Sequence, residues 1–537
     1  MTPIKRSTAV SKAWMPKRRA QCRCQAPQPR SGAPSGAGLD SGAALAAQSA
    51  MPSIAARSRT DCRQPSTGAT ASGRLDPQSR ISTSLTDVTL QSNNNARAEQ
   101  EPGGLLALAL LALVAGGAAG LICAGFRLAL KEADRLRDGA IADAHNLGFA
   151  GFLLVTGGAG LAVAAAAWLV RRFSPYASGS GIPHVEAALD QQLPPAPPHL
   201  ILVKFFGGLL AIGSGLALGR EGPSVQMGAV VAHIVGRISA RGWPDRRALL
   251  AAGAGAGLAV AFNAPIAGAI FVLEELVRRF DTRIAIAALG ASATAILVAR
   301  LFLGDAPDFQ VSITAFATMG TGPLAFAPAA SWPLYLVLGV LAGLLAAFYN
   351  RTLLGAIGLA ERLHRWPVEL QAGVIGAAVG ILAWFAPELI GGGDPITQRV
   401  LAGGATVASI PLFFLVRLAL GAVSYAAANP GGLFAPMLVL GAQLGSFYGA
   451  VCRLAFPDLG IEPEAFAVVG MAAFFTGVVQ APVTGIVLVI EMTAGFTTLL
   501  PMLGACFAAI LMPNLLHSAP IYKSLREHAA RRQGSAP

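Results

Sequence analysis

From residue 105 onward the chain is a close succession of apolar runs, and glycine–proline corners cut many of them short. The runs fall at about 105–130, 149–170, 199–218, 224–240, 248–262, 266–279, 284–303, 332–360, 368–386, 411–427, 433–453, 465–479, 482–494 and 498–516. A helix crossing a bilayer upright needs ~20 apolar residues, and several runs fall below that. Segments of this kind stop inside the membrane, where their free ends line binding sites. Composition agrees: of 537 residues 54% are hydrophobic and 13% charged, against about 25% charged in a soluble domain. This excludes a soluble enzyme and, over most of the length, a disordered protein. The expectation is an all-α polytopic membrane protein of tilted and broken helices.

Residues 1–100 differ in kind. They are rich in Ser, Arg, Ala, Gln and Pro, with Asp40 as the first acid, a composition that predicts a disordered basic tail or a targeting segment. The formal charge of +12 sits in this tail and in short loops, so it reads as membrane topology and not as a nucleic-acid surface. The basic tail places the N-terminus inside. Loop 131–148 mixes both signs and is placed outside, and Arg171, Arg172, Arg278, Arg279 and Arg283 return to the inner side. Both termini are then cytoplasmic, with 528–537 as a short tail after a membrane domain at 101–527. Cys22, Cys24 and Cys62 lie in the tail and Cys123, Cys452 and Cys506 in apolar runs, without the spacing of a metal or disulfide framework.

The apolar region repeats itself. Residues 264–274 and 481–491 both fit A-P-x-x-G-x-x-x-x-x-E, and upstream of each stands P-x-x-x-x-G, at 223–228 and 436–441. Two matches in the same order divide the domain into halves at about 105–303 and 332–517. Paired interruptions in two halves point to a site at the membrane midplane.

Three corners carry the chemistry: Gly179-Ser180-Gly181-Ile182-Pro183, Gly219-Arg220-Glu221-Gly222-Pro223 and Gly431-Gly432-Leu433-Phe434-Ala435-Pro436. Proline fits a first helical position because the N–H it lacks has no helical partner there. The glycines let backbone approach a ligand closely. Each following helix aims free N–H groups and a partial positive charge at the corner. Three such ends together would hold an anion without a Lys or Arg, and release it more readily than a full charge. Any one corner alone is also an ordinary helix start, and Ser180 an ordinary cap.

An ionisable side chain at the bilayer centre costs about 2.5–3.5 kcal/mol or more, which singles out Glu221. As a carboxylate it competes with an anion for the same donors; protonated, it leaves. The plainer alternative is an ion pair with Arg220. Glu274 and Glu275 close an apolar run beside Arg278. Neighbours on a helix point about 100° apart, so one can pack while the other meets a water path. Glu274 matches Glu491 in the repeat and reads as structural; Glu275 has no counterpart and is the candidate proton relay, with a solvated or Arg-paired carboxylate as the alternative.

In family order, G-S-G-I-P (179–183), G-R-E-G-P (219–223), F-N-A-P-I-A-G (262–268), E-E (274–275) and G-G-L-F-A-P (431–436) resemble the CLC family of chloride channels and chloride/proton exchangers. The resemblance spans about 105–527. It implies two inverted-topology halves and a homodimer with an anion pathway in each subunit. It implies that Ser180 and Tyr522 donate hydroxyls to a central chloride, with the N–H groups of Leu433 and Phe434 completing the site. Glu221 would be the gating, proton-transferring glutamate and Glu275 the internal proton-transfer glutamate. Ser180 resembles chloride-preferring members, and an acid at Glu275 resembles exchangers. His184 stands where an acid is common. Only a short stretch follows Tyr522, so the nucleotide-binding regulatory domains of many eukaryotic members are not expected.

The leading expectation is a chloride/proton antiporter in a prokaryotic plasma membrane, needing no cofactor and no metal and having no nucleic-acid partner. The alternatives are a passive chloride channel of the same fold and, if the first 100 residues are a transit peptide, residence in an organelle membrane. A membrane enzyme cradling a lipid phosphate is disfavoured, because G-R-E-G-P lacks the Lys and Ser/Thr of a phosphate loop.

Overall fold

The computed structural model describes residues 102–311, 331–363 and 365–534, all within the unit Arg80–Pro537. The tail expected at 1–100, with Cys22, Cys24 and Cys62, lies outside the described residues. Among those described, seventeen α-helices and short 3₁₀ or π turns make up the fold, with two isolated backbone bridges and no strand.

The first half holds α1 (Pro102–His145), α2 (Phe149–Phe173), α3 (Ile182–Leu189), α4 (Leu200–Gly213), α5 (Glu221–Ile238), α6 (Trp243–Phe262), α7 (Pro265–Phe271, continued by a π turn Val272–Val277) and α8 (Thr282–Leu303). The second holds α9 (Trp332–Arg362), α10 (Val368–Phe385), α11 (Asp394–Leu401), α12 (Ile410–Ala426), α13 (Phe434–Ala455), α14 (Pro463–Val479), α15 (Pro482–Thr493) and α16 (Leu499–Leu515). A last helix, α17 (Ile521–Gly534), follows and runs on into the stretch expected as a tail from residue 528.

The packing repeats between the halves. α1 packs on α8 as α9 packs on α16, and α5 on α6 as α13 on α14. The crossings use the same residue type at matching places. A Cβ at Gly228 would fall on the Gly253 carbonyl, and a Cβ at Gly441 would lie 2.6 Å from the Gly470 carbonyl. Helices in lipid gain little from hydrophobicity against one another, so close backbone approach through small residues supplies the contact. The halves are inverted-topology repeats of tilted and broken helices, joined by α2 on α10 and α7 on α15.

Among the described residues, eight helices are long and apolar enough to cross a membrane. Their surroundings differ: the apolar window of α13 is 78% buried and that of α2 28%. Helix α13 is thus wrapped in protein while α2 leaves most of its apolar window on the protein's surface. The placement of 131–148 as a loop is corrected, since α1 continues to His145. Pairs three residues apart, Arg135–Glu132 at 3.2 Å and Arg137–Asp134 at 2.6 Å, suit a polar helical extension.

The sequence shows three corners and the fold has a fourth. Gly391-Gly392-Gly393-Asp394-Pro395 precedes α11 as Gly179-Ser180-Gly181 precedes α3. Gly181 and Gly393 cap these two helices with φ of +82° and +98°, a region open to glycine and strained for other residues. Each corner is gripped by a buried cation from the next long helix. Lys204 on α4 donates to the carbonyls of Ala177 (3.0 Å) and Gly179 (2.8 Å). Arg417 on α12 donates to those of Leu389 (2.9 Å), Gly391 (2.8 Å) and Gly392 (2.9 Å).

Candidate functional site

The corners before α3, α5 and α13 form one knot of backbone. Gly179 donates its N–H to Asn429 (3.1 Å), and Gly431 donates to Gly179 (3.2 Å). Gly219 and Gly432 exchange two bonds, of 2.9 and 2.7 Å. These ties bring three helix starts to one place, each with first-turn N–H groups that have no partner in their own helix. Proline stands second in α3 but third in α5 and α13. The expectation of proline at the first position is corrected accordingly, and it still falls among the N–H groups no helix bond uses.

Glu221 opens α5 and is fully buried. Its Oε1 accepts a hydrogen bond from the N–H of Phe434, the first residue of α13, at 2.6 Å. A Cβ at Gly219 or at Gly432 would overlap this carboxylate, so the two glycines form the cradle in which it lies. Its other oxygen has no partner among the described residues. Arg220 does not answer it. Its Nε donates to Ala261 O (2.8 Å), Nη1 to Asp394 (3.0 Å) and Nη2 to Asp308 (3.1 Å), and Asp308 also pairs with Arg127. The Arg220 ion pair considered for Glu221 is replaced by this outer network.

Ser180 lies directly against α5. A Cβ at Gly222 would sit 2.7 Å from the Ser180 carbonyl. The Ser180 Oγ accepts from the N–H of Ile182 at 3.2 Å, which leaves its own proton to donate. The Ser180 N–H donates to the Tyr425 hydroxyl at 3.4 Å. Phe434 is held by Phe475 (4.7 Å between centroids), Phe271 (5.7 Å), Phe262 (6.1 Å) and Tyr522 (5.9 Å). Leu433 caps α13 and is buried. The Tyr522 hydroxyl, at the start of α17, is buried with no partner among the described residues. Ser180, Glu221, Leu433, Phe434 and Tyr522 are therefore gathered at one locus, with Gly179, Gly181, Gly219, Gly222 and Gly432 forming its turns. A buried hydroxyl without an acceptor costs about 1–3 kcal/mol, so an acceptor placed against Tyr522 would be favoured there.

Glu274 and Glu275 diverge. Glu274 accepts from the N–H groups of Val483 (3.1 Å) and Thr484 (2.6 Å) at the start of α15. Glu491, at the end of α15, accepts from Ile266 (3.0 Å) and Ala267 (2.8 Å) at the start of α7. Each half caps a broken helix of the other. Glu275 is buried and pairs with Arg278 at 3.0 Å.

Some of the site is absent from the sequence reading. Tyr425 reaches Ser180 across 245 residues, and no motif marks it. Lys204 stands behind the α3 corner, so a cation is present after all, spent on carbonyls. Its signal was a lone Lys inside an apolar run. His184 leans on Tyr176, 4.7 Å between ring centroids.

Residues 160–514 match the family model described as voltage gated chloride channel. The chain is 37% identical over 446 residues to an H(+)/Cl(-) exchange transporter ClcA of Cronobacter sakazakii, covering 80% of this chain and 92% of that one. To the ClcA of Salmonella arizonae it is 35% identical over 436 residues, covering 80% and 90%. Among solved structures it resembles a slow cyanobacterial Cl-/H+ antiporter, with TM-score 0.74, 30% identity and coverage of 80% and 99%. It also resembles a eukaryotic CLC transporter, with TM-score 0.66, 25% identity and coverage of 79% and 74%.

Proposed function

The chain belongs to the voltage gated chloride channel (CLC) family, and on that premise we propose that it is an antiporter exchanging chloride for protons across the membrane. One observation carries the mechanism: the Glu221 carboxylate rests on the Phe434 N–H, at the helix start that an anion would use. Chloride and the carboxylate are rivals for one seat. Chloride binds between the hydroxyls of Ser180 and Tyr522 and the N–H groups of Leu433 and Phe434. A proton on Glu221 cancels its charge, weakens its hold on Phe434 N and lets chloride in. Glu275 takes that proton from the cytoplasmic side. The two sites are separate side chains on separate helices, so proton and chloride share only the central locus.

The working unit is a homodimer with one pathway per subunit, in a bacterial plasma membrane with both termini cytoplasmic. The similarity to exchange transporters and an antiporter supports exchange over passive conduction, and the acid at Glu275 agrees. No cofactor or metal enters the mechanism, and no enzymatic step is needed. Reconstituted vesicles test the reading. Under a chloride gradient, exchange drives protons uphill and makes the reversal potential depend on pH. A reversal potential that follows chloride alone would establish the channel alternative.

A further inference from the structure

Resting on the exchange reading, we propose that Arg278 is a positioning residue for proton loading: its guanidinium holds Glu275 and Glu186 together at the cytoplasmic entrance, and a proton enters by taking its place on Glu275.

The geometry begins with the backbone. The π turn Val272–Val277 ends at Arg278, whose φ is +54°. A π turn departs from regular helix and recurs at functional sites, and the left-handed residue folds the arginine back over the turn it closes. Its Nε donates to the Glu275 carbonyl at 3.1 Å. Its Nη2 reaches two carboxylates on different helices, Glu275 Oε1 at 3.0 Å and Glu186 Oε1 at 3.3 Å. The carboxylates are enclosed and the cation is not: the side chains of Glu275 and Glu186 are 4% and 2% exposed, that of Arg278 38%.

Glu186 makes this more than a local pair. It lies on α3, the short helix that follows the Ser180 corner. Its Oε2 lies 3.9 Å from Arg526 of α17, which also binds Asp190 at 2.9 Å. Through Arg278, the π turn, α3 and α17 share one ion network, and α3 and α17 begin beside Ser180 and Tyr522. When Glu275 accepts a proton, Glu186 keeps the guanidinium from swinging into solvent, ready to re-form the pair. The charged groups beside Glu275 and on the helices packed against the π turn are otherwise engaged. Glu274 is turned to α15, Arg526 is bound to Asp190, Arg247 of α6 donates to Leu189 O, and Asp245 of α6 pairs with Arg283 of α8.

The test is proton uptake by the full-length chain in liposomes under a chloride gradient, over a series of symmetric pH values. An opposite charge at this distance favours the ionised carboxylate by 1–3 pH units and a like charge opposes it. Arg278→Gln should move the midpoint of proton uptake upward by about one unit, and Arg278→Lys by less than half as much. Glu186→Gln should move it downward. A residue that merely stiffens the turn would not shift the profile in opposite directions. If Arg278→Gln does not fold, the Lys and Glu186→Gln profiles still carry the sign test. Midpoints that coincide with wild type, or that move the same way, overturn the inference and leave exchange standing. Wild-type chloride flux without proton coupling overturns exchange and this inference with it.

Discussion

The Glu221 carboxylate and the Phe434 N–H, 213 residues apart, meet at 2.6 Å as the opening residues of α5 and α13. They are matching positions of the two repeats, so the pseudo-symmetry of the fold itself delivers an acid to an anion-attracting helix end. Glu221→Gln keeps the shape and removes the charge. Chloride flux should persist while proton movement falls at least about tenfold, a loss of over ~1.4 kcal/mol of coupling. The sign with pH follows: acid protonates Glu221 and releases its hold, so wild-type chloride flux rises as pH falls while the variant's stays flat. Paired chloride and pH electrodes on liposomes measure both. Uphill proton pumping by the variant would contradict the role.

The Tyr522 hydroxyl lacks a partner while its ring packs on Phe434. Tyr522→Phe therefore removes the donor and spares the packing. A hydrogen bond to a charged acceptor contributes about 1.5–3 kcal/mol, so chloride affinity by calorimetry should drop about 10–150-fold. Ser180→Ala should do the same. Unchanged affinity in both variants would remove the hydroxyls from the site.

Adjacent acids should behave differently. Glu274→Ala strips two N–H caps and the Thr484 hydroxyl of their acceptor, and Glu491→Ala strips two N–H caps. Each should cost about 1–3 kcal/mol, read as a lower thermal unfolding midpoint, with the coupling ratio unchanged. Glu275→Gln should do the reverse, lowering proton coupling with little effect on the midpoint.

Much of this was legible because membrane helices announce themselves. Fourteen apolar runs foreshadow fourteen helices, most of them to within a few residues, from 149–170 against Phe149–Phe173 to 498–516 against Leu499–Leu515; the run 105–130 falls well short of α1, whose end is polar. Hydropathy does not see α3, α11 and α17, which are short or polar; the Gly179–Pro183 corner marked the start of α3, while α11 and α17 escaped. The matched A-P-x-x-G-x-x-x-x-x-E segments exposed the repeat because reciprocal capping needs an acid at the same offset in both halves. Tyr425, Arg278 with Glu186, and the Asp308–Arg220–Asp394 network stayed hidden. Each is a contact between distant segments, and the residue types involved are ordinary where they stand.

The two buried cations make a final, asymmetric prediction. Lys204 serves two carbonyls of the corner that carries Ser180, and Arg417 serves three carbonyls of the corner before α11. Hydrogen bonds to a charged group contribute about 1.5–3 kcal/mol each, so Arg417→Met should lower the unfolding midpoint more than Lys204→Met. Binding should rank the other way. Lys204→Met leaves the Gly179 carbonyl with only the Gly431 N–H and loosens Ser180, and chloride affinity should fall at least about threefold. Arg417→Met frees a corner whose Asp394 touches Arg220 and not the central locus, so affinity should stay within about twofold of wild type. Equal effects of both variants on chloride affinity would mean that the corners act as one unit and that Lys204 has no particular hold on the anion site.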